Sequence, residues 1–162
     1  MSRSGASFKR GKSKQDYSTP TDFLQAVEKC FQVSFDWDLA AHAGNAVCKS
    51  YLSEDVDSLS IPWHQLRGAL WLNPPFGNIK SWAEKCLAEG AQGADIFFLV
   101  PASVGAAWFL DNILGRAQIL FLRGRLSFDG NNPFPKDCML CRFGPEAEVG
   151  VEEFNWRGWA EV

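Results

Sequence analysis

The chain has 162 residues, enough for one domain with its own core, and 46% of them are hydrophobic, which excludes a wholly disordered protein. A formal net charge of -3 and a pI near 5.4 exclude wrapping of nucleic acid over a broad basic surface, because such binding draws on many Lys and Arg. No apolar run approaches membrane-spanning length, so no membrane association is expected.

Residues 1–14 carry Arg3, Lys9, Arg10, Lys12 and Lys14 and no acid. A flexible basic tail is expected over residues 1–15, serving either solubility or contact with DNA, ahead of a single domain over 16–162. Cys30, Cys48, Cys86, Cys138 and Cys141 are an odd number in a chain without a secretory signal. That pattern predicts free thiols in a reducing cytoplasm. Cys138 and Cys141 have CxxC spacing, but a zinc site needs a second ligand pair that the sequence lacks, so a strand and no metal are expected there.

The elements follow in chain order. Thr19-Pro20-Thr21-Asp22 reads as a helix start, with Thr19 as N-cap and Pro20 as the first helical residue. Phe23, Leu24, Val27, Cys30 and Phe31 then repeat at helical spacing. Residues 33–41 alternate, with Val33, Phe35, Trp37 and Leu39 on one side and Asp36 and Asp38 on the other, which predicts a strand. Residues 53–58 are polar and read as loop. A second strand runs from Gly68 to Leu72 and ends in Asn73-Pro74-Pro75-Phe76-Gly77, which cannot continue a sheet. Ile79, Trp82, Ala83, Cys86 and Leu87 form one apolar helical stripe that Gly90 and Gly93 are expected to end. The continuous apolar runs Ile96 to Val100 and Ala117 to Leu122 predict strands buried on both faces, with a helix from Val104 to Leu114 between them. Alternating strands and helices imply a mostly parallel α/β sheet. Arg125 to Phe128, Cys138 to Phe143 and Val149 to Phe154 are short and alternating, and predict C-terminal antiparallel hairpin strands.

In open α/β sheets, ligands sit beyond the carboxyl ends of the strands. The bend Asn73-Pro74-Pro75-Phe76 falls there, after Leu70-Trp71-Leu72. Two prolines stiffen it and remove two backbone donors, so it offers mainly acceptors. The Asn73 side-chain oxygen and the Pro74 carbonyl can address one planar NH2 group, and Phe76 supplies an aromatic face. This set suits methylation of such an amine. Its lone pair is delocalised into a ring, and two acceptors on its N–H bonds favour the pyramidal, nucleophilic geometry. As a tetrapeptide alone the motif reads first as a rigid turn; its place between a buried strand and an amphipathic helix reverses that reading in favour of chemistry.

With these residues in view, the chain resembles the phage-type DNA N6-adenine methyltransferases, from about Asp16 to Phe143. The resemblance is carried by Asp16-Tyr17-Ser18-Thr19-Pro20, by Phe35-Asp36-Trp37-Asp38-Leu39-Ala40-Ala41, and by Asn45, Cys48 and Tyr51. It continues through Asp55, Asp57 and Trp63, the Asn73-Pro74-Pro75-Phe76 loop, Leu99-Val100-Pro101-Ala102 with Trp108, and Gly124-Arg125-Leu126-Ser127-Phe128. It implies S-adenosyl-L-methionine as methyl donor, double-stranded DNA as partner, and flipping of the target adenine onto Phe76. It further implies that Thr19 and Pro20 hold the methionine part of the donor, that Asp38 faces its ammonium or ribose, that Ala40 allows its close approach, and that Asp55 or Asp57 serves the ribose hydroxyls. A phage- or prophage-encoded protein acting in a bacterial cytoplasm is the corresponding expectation.

Two departures are visible. Ala40-Ala41-His42-Ala43-Gly44 stands where a glycine-rich FxGxG turn is usual, and the interval from Asp38 to Asn73 is short. A reduced Rossmann-like methyltransferase sheet is therefore expected. Arg123 and Arg125 flank Gly124 just beyond a strand and either grip DNA phosphates, support the flipped nucleotide, or are ordinary surface arginines on an edge strand. His42 and His64 are isolated and are expected to serve surface or hydrogen-bonding roles. No separate recognition domain is evident, so short or relaxed sequence specificity is expected, with a homodimer as one way to extend the footprint. Methylation of RNA bases or protein glutamine, and non-catalytic DNA binding on the same fold, are the rival readings.

Overall fold

A computed structural model of the chain describes residues 18–160. The basic residues Arg3 to Lys14, with Asp16 and Tyr17, lie outside the described residues. Helix α1 (Thr21–Phe31) leads into β1 (Phe35–Asp38) and the two-residue β2 (Ser50–Tyr51). Short 3-10 turns at Glu54–Val56, Ser58–Ser60 and Trp63–Gln65 precede β3 (Ala69–Leu72). Then come a 3-10 turn at Phe76–Asn78, α2 (Ile79–Ala91), β4 (Asp95–Pro101), α3 (Ala107–Asn112) and β5 (Gln118–Leu122). The chain continues through β6 (Cys138–Phe143) and β7 (Gly150–Phe154) to α4 (Trp156–Ala160).

The strands form one sheet in the order β2-β1-β3-β4-β6-β5-β7. All neighbours pair in parallel except at β6, which runs against both β4 and β5. Side chains alternate across the sheet, so the buried runs in β3 and β4 feed two cores. Leu70, Leu72, Ile96, Phe98 and Val100 face α2 and α3, packing with Ile79, Ala83, Cys86, Phe109 and Ile113. Ala69, Trp71, Phe97 and Leu99 face the other way, onto Phe23, Ala26 and Val27 of α1 and Trp156 of α4. Phe97 is the hub of that second core, with ring centroids 5.5 Å from Phe31 and 5.1 Å from Phe35. Beside it, Arg142 of β6 donates two hydrogen bonds to the Asp95 carboxylate, at 2.9 and 3.1 Å, and lies 4.7 Å over the Phe97 ring. This bidentate pair fixes how the reversed strand sits on β4.

Several expectations change. Thr19 does not cap α1; Pro20 occupies the cap position and has no polar side-chain atom to cap with, while the Thr19 hydroxyl accepts from Trp71 and Asn73. Phe35 and Trp37 face opposite cores, since the β1–β3 register shifts between them and places Asp36 in a bulge. Gly68, at φ 86°, lies against that bulge, where a Cβ would collide with the Asp36 carboxylate. Helix α2 runs through Gly90, and α3 is shorter than the predicted Val104 to Leu114. Residues 125–128 form no strand, their chain being drawn into loop contacts such as the Phe134 N–H to Leu126 C=O bond of 2.7 Å. β6 is antiparallel as expected, but β7 is not its hairpin partner. β5 lies between them, and β7 pairs in parallel on the outer edge. Cys138 and Cys141 lie buried in β6 as free thiols.

Replacing Phe97 by Ala should cost about 3–5 kcal/mol, through lost burial and the cavity left between the Phe31 and Phe35 rings. Urea unfolding measures it, and a cost under about 1 kcal/mol would contradict this packing.

Candidate functional site: a proline bend between two cavities

The site begins where β3 ends. After Leu72 the chain cannot pair further, because Pro74 and Pro75 carry no N–H. Pro74 is buried, while Asn73, Pro75 and Phe76 are half-buried at the surface of the bend. Asn73 Nδ2 donates to Thr19 Oγ1 at 3.2 Å, and Trp71 Nε1 donates to the same oxygen at 3.0 Å. A hydroxyl oxygen has two lone pairs, so Thr19 can satisfy both donors at once. The Asn73 amide is thereby gripped by its nitrogen end, with the oxygen end turned off Thr19. The Phe76 ring packs on Phe134 and Phe128, with centroids 5.6 and 6.3 Å away.

A cavity of about 510 Å³ opens beside the bend. Its walls come from the segments after β1 (Ala40, Ala41, His42, Asn45), after β2 (Leu52 to Asp55 and Asp57 to Leu59) and after β3 (Asn73, Pro75), with Trp82 of α2. All three strands present their carboxyl ends to it, as open parallel sheets do. Asp38, only 3% exposed, shapes this wall from behind. Its carboxylate accepts the Ala40 N–H at 3.2 Å and the Val47 N–H at 3.1 Å, folding the loop between them. Burial raises its pKa from 3.8 to about 6, and these two hydrogen bonds only partly oppose the rise. Asp57 sits on the rim at φ 51°, a left-handed conformation that Asp tolerates. Under the far wall, Trp82 stacks on Trp63 at 6.1 Å, and the Lys85 ammonium lies 5.0 Å over the Trp63 ring. Lys85 and His64 both bond Glu89. Burial would raise the Glu89 pKa, but hydrogen bonds from His64 and Lys85 win and hold it below the usual carboxylate range.

A second cavity, of about 460 Å³, lies on the other side of Thr19. Thr19 and Pro20 line it together with Arg125, Ser127 and Phe128. Arg123 lines neither cavity; its guanidinium donates to both oxygens of Glu153, at 3.0 and 2.9 Å.

The residues singled out in the sequence thus divide. Ala40, Asp55, Asn73 and Pro75 meet at the first cavity; Thr19, Pro20 and Arg125 meet at the second; the Asn73–Thr19 hydrogen bond joins the two groups. Asp38 stands behind the first wall and Phe76 beside Phe128. Sequence reasoning missed Trp82, which reads as core on its helical stripe, and the C-terminal residues Trp156 and Arg157 at the second cavity.

A mostly parallel sheet whose strand ends open onto a cavity beside an Asn-Pro-Pro-Phe bend has the layout of a ligand-binding α/β domain. The chain belongs to the DNA N-6-adenine-methyltransferase (Dam) family, whose pattern matches residues 7–138. A DNA N-6-adenine-methyltransferase of Escherichia phage T1 is 28% identical over 140 residues, covering 86% of this chain. The aligned region spans 58% of that relative's length. Among the described residues no helix is long and apolar enough to cross a membrane.

The Asp38 environment predicts a pH dependence. With a pKa near 6 folded and near 3.8 unfolded, the folded state keeps a proton that the unfolded chain has lost between those values. Its contribution therefore favours folding below about pH 4 and declines by about 2–3 kcal/mol as pH rises to 6. Asp38→Asn should flatten this decline in urea unfolding measured from pH 4 to 7; an unchanged slope would contradict it.

Proposed function

We propose that this chain transfers a methyl group from S-adenosyl-L-methionine to the exocyclic N6 of adenine in double-stranded DNA. The observation that carries the reading is the Asn73-Pro74-Pro75 bend at the edge of the first cavity, its amide oriented by Thr19. Six strands in one direction, one reversed strand and a cavity beyond the carboxyl ends support a reduced Rossmann-like methyltransferase fold.

The first cavity suits the donor. Its volume lies in the range of small-molecule sites, the Ala40 and Ala41 side chains are small enough for close approach, and Trp82 offers an apolar face. Asp55 and Asp57 supply carboxylate acceptors for ribose hydroxyls or an ammonium. Asp38 contributes by holding the Ala40–Val47 loop in shape. The bound donor would supply a methyl carbon on a positively charged sulfur, an electrophile that needs no further activation.

The chain's own residues then act on the acceptor. A base inside a duplex cannot reach a concave site, so the target adenine is flipped out, at a cost of a few kcal/mol, and meets the Phe76 ring. The Asn73 oxygen and the Pro74 carbonyl accept the two N–H bonds of the amine and point its lone pair at the methyl carbon. The amine nitrogen so held would take the methyl carbon that the bound donor supplies, the C–S electron pair remaining with the departing thioether. The nitrogen becomes cationic, the two acceptors stabilise that charge, and one proton passes to water. Because the prolines hold both acceptors before the substrate arrives, little reorganisation remains for the reactive step.

Asn73→Ala should lower methyl incorporation into DNA by at least about 10²-fold. Stability should fall by only about 1 kcal/mol, since Trp71 still donates to Thr19. Labelled donor is offered separately with DNA, RNA and protein. Turnover of the variant within threefold of the parent, or labelling of RNA or protein alone, would refute the proposal.

A further inference from the structure

The second cavity has the features of a built binding site, and its far wall comes from beyond the family-matched residues 7–138. That wall is the short C-terminal helix α4. Trp156 is 4% exposed and packs edge-on against Phe23 of α1, with centroids 5.4 Å apart. Its Nε1 is buried and has no hydrogen-bond partner among the described residues. A buried indole N–H without an acceptor is costly and rare in native proteins, and here it belongs to a residue that lines a cavity.

Arg157, next in the chain, spans the loop opposite. Its Nη1 donates to the Arg123 carbonyl at 2.9 Å and its Nη2 to the Arg125 carbonyl at 3.1 Å. Its guanidinium also lies 4.4 Å over the Trp156 ring. Gly124, at φ 78°, stands between the two carbonyls, and a Cβ there would come within 2.7 Å of Nη1. The clamp therefore requires both the guanidinium fork and the glycine. It divides the two loop arginines. Arg123 points out to Glu153, while Arg125 lines the cavity and, among the described residues, has only an exposed ion pair to Asp137 at 3.9 Å. Such a pair is worth little, which leaves the Arg125 charge available to a ligand.

We propose that the second cavity seats the acceptor nucleotide of the DNA, with Trp156 as a direct donor to it and Arg157 as the positioning residue that sets Arg125. The chemistry of the walls selects the ligand class. Arg125, the Ser127 hydroxyl and the Trp156 N–H favour a ligand rich in acceptors, as a phosphodiester and a nucleobase are. Phe128 adds a ring for stacking and touches Phe76. The wall shared through Thr19 puts the bound nucleotide next to Asn73. The identity of the ligand rests on the methyl-transfer reading; the existence of the site rests on the cavity, the unpartnered indole and the clamp.

Trp156→Phe, Arg157→Ala and Arg157→Lys are compared with the parent in the full chain. The readouts are fluorescence anisotropy with a labelled adenine-containing duplex, calorimetry with S-adenosyl-L-methionine, methyl incorporation and thermal midpoint. Trp156→Phe and Arg157→Ala should bind the duplex about tenfold more weakly, each having lost a wall donor or the loop clamp, with donor affinity unchanged. Arg157→Lys should fall between parent and Ala, because an ammonium reaches one carbonyl where the fork reaches two. Trp156→Phe keeps the ring on Phe23 and so tests the N–H should Arg157→Ala not fold. Duplex binding equal to the parent in both, or donor binding weakened by the same factor as duplex binding, overturns the proposal. A parent that binds duplex and donor but methylates no DNA defeats the methyl-transfer reading and leaves the pocket standing; normal methylation with unaltered duplex binding by the variants defeats the pocket alone.

Discussion

Much of this molecule turns on the hydroxyl of Thr19. It takes Trp71 Nε1 from the central strand β3 and Asn73 Nδ2 from the bend that follows. One oxygen thereby ties the segment before α1 to the end of β3 and sets which way the Asn73 amide faces. It also stands in the partition between the two cavities, since Thr19 lines one and Asn73 the other. In the proposed transfer these are the donor side and the acceptor side, and the reacting amine has to lie where they meet.

The sheet explains why loops can converge there. Parallel strands β1, β2 and β3 end on the same side, so the segments leaving them must share one rim. The interval between β1 and β3 holds only a two-residue strand and three 3-10 turns. With so little regular structure, the loop is held by point contacts: the Leu52 N–H on the Asp38 carbonyl, and the Ala40 and Val47 N–H groups on the Asp38 carboxylate. A buried carboxylate is an expensive anchor, and its raised pKa is the physical record of that cost.

At the opposite end of the sheet, the reversed strand β6 has the complementary role. Seated on β4 by Arg142 and Asp95, it lets β5 and β7 pair outside it. That arrangement carries the chain back toward α1, where Trp156 meets Phe23 and Arg157 reaches the loop after β5. The last turn of the fold thus becomes a wall beside the first helix, and residues far apart in the chain complete one cavity.

The strands Leu70–Leu72 and Ile96–Val100, the stripe of α2 and the bend Asn73–Phe76 were all legible from the chain alone, because each is written in local terms: continuous burial, helical spacing, or paired prolines. Family resemblance read from the same residues agrees with the matched region. What local pattern could not convey was partner choice. Thr19 reads as a helix cap until Asn73, 54 positions away, competes for its oxygen. Phe35 and Trp37 read as one face until pairing with β3 inserts a bulge. β6 and β7 read as a hairpin until β5 slots between them. Trp156 and Arg157 carry no motif at all. Hydrophobic periodicity specifies what a segment is, whereas hydrogen-bond partners, strand order and the walls of a cavity are settled only when distant segments compete for the same donors, acceptors and edges.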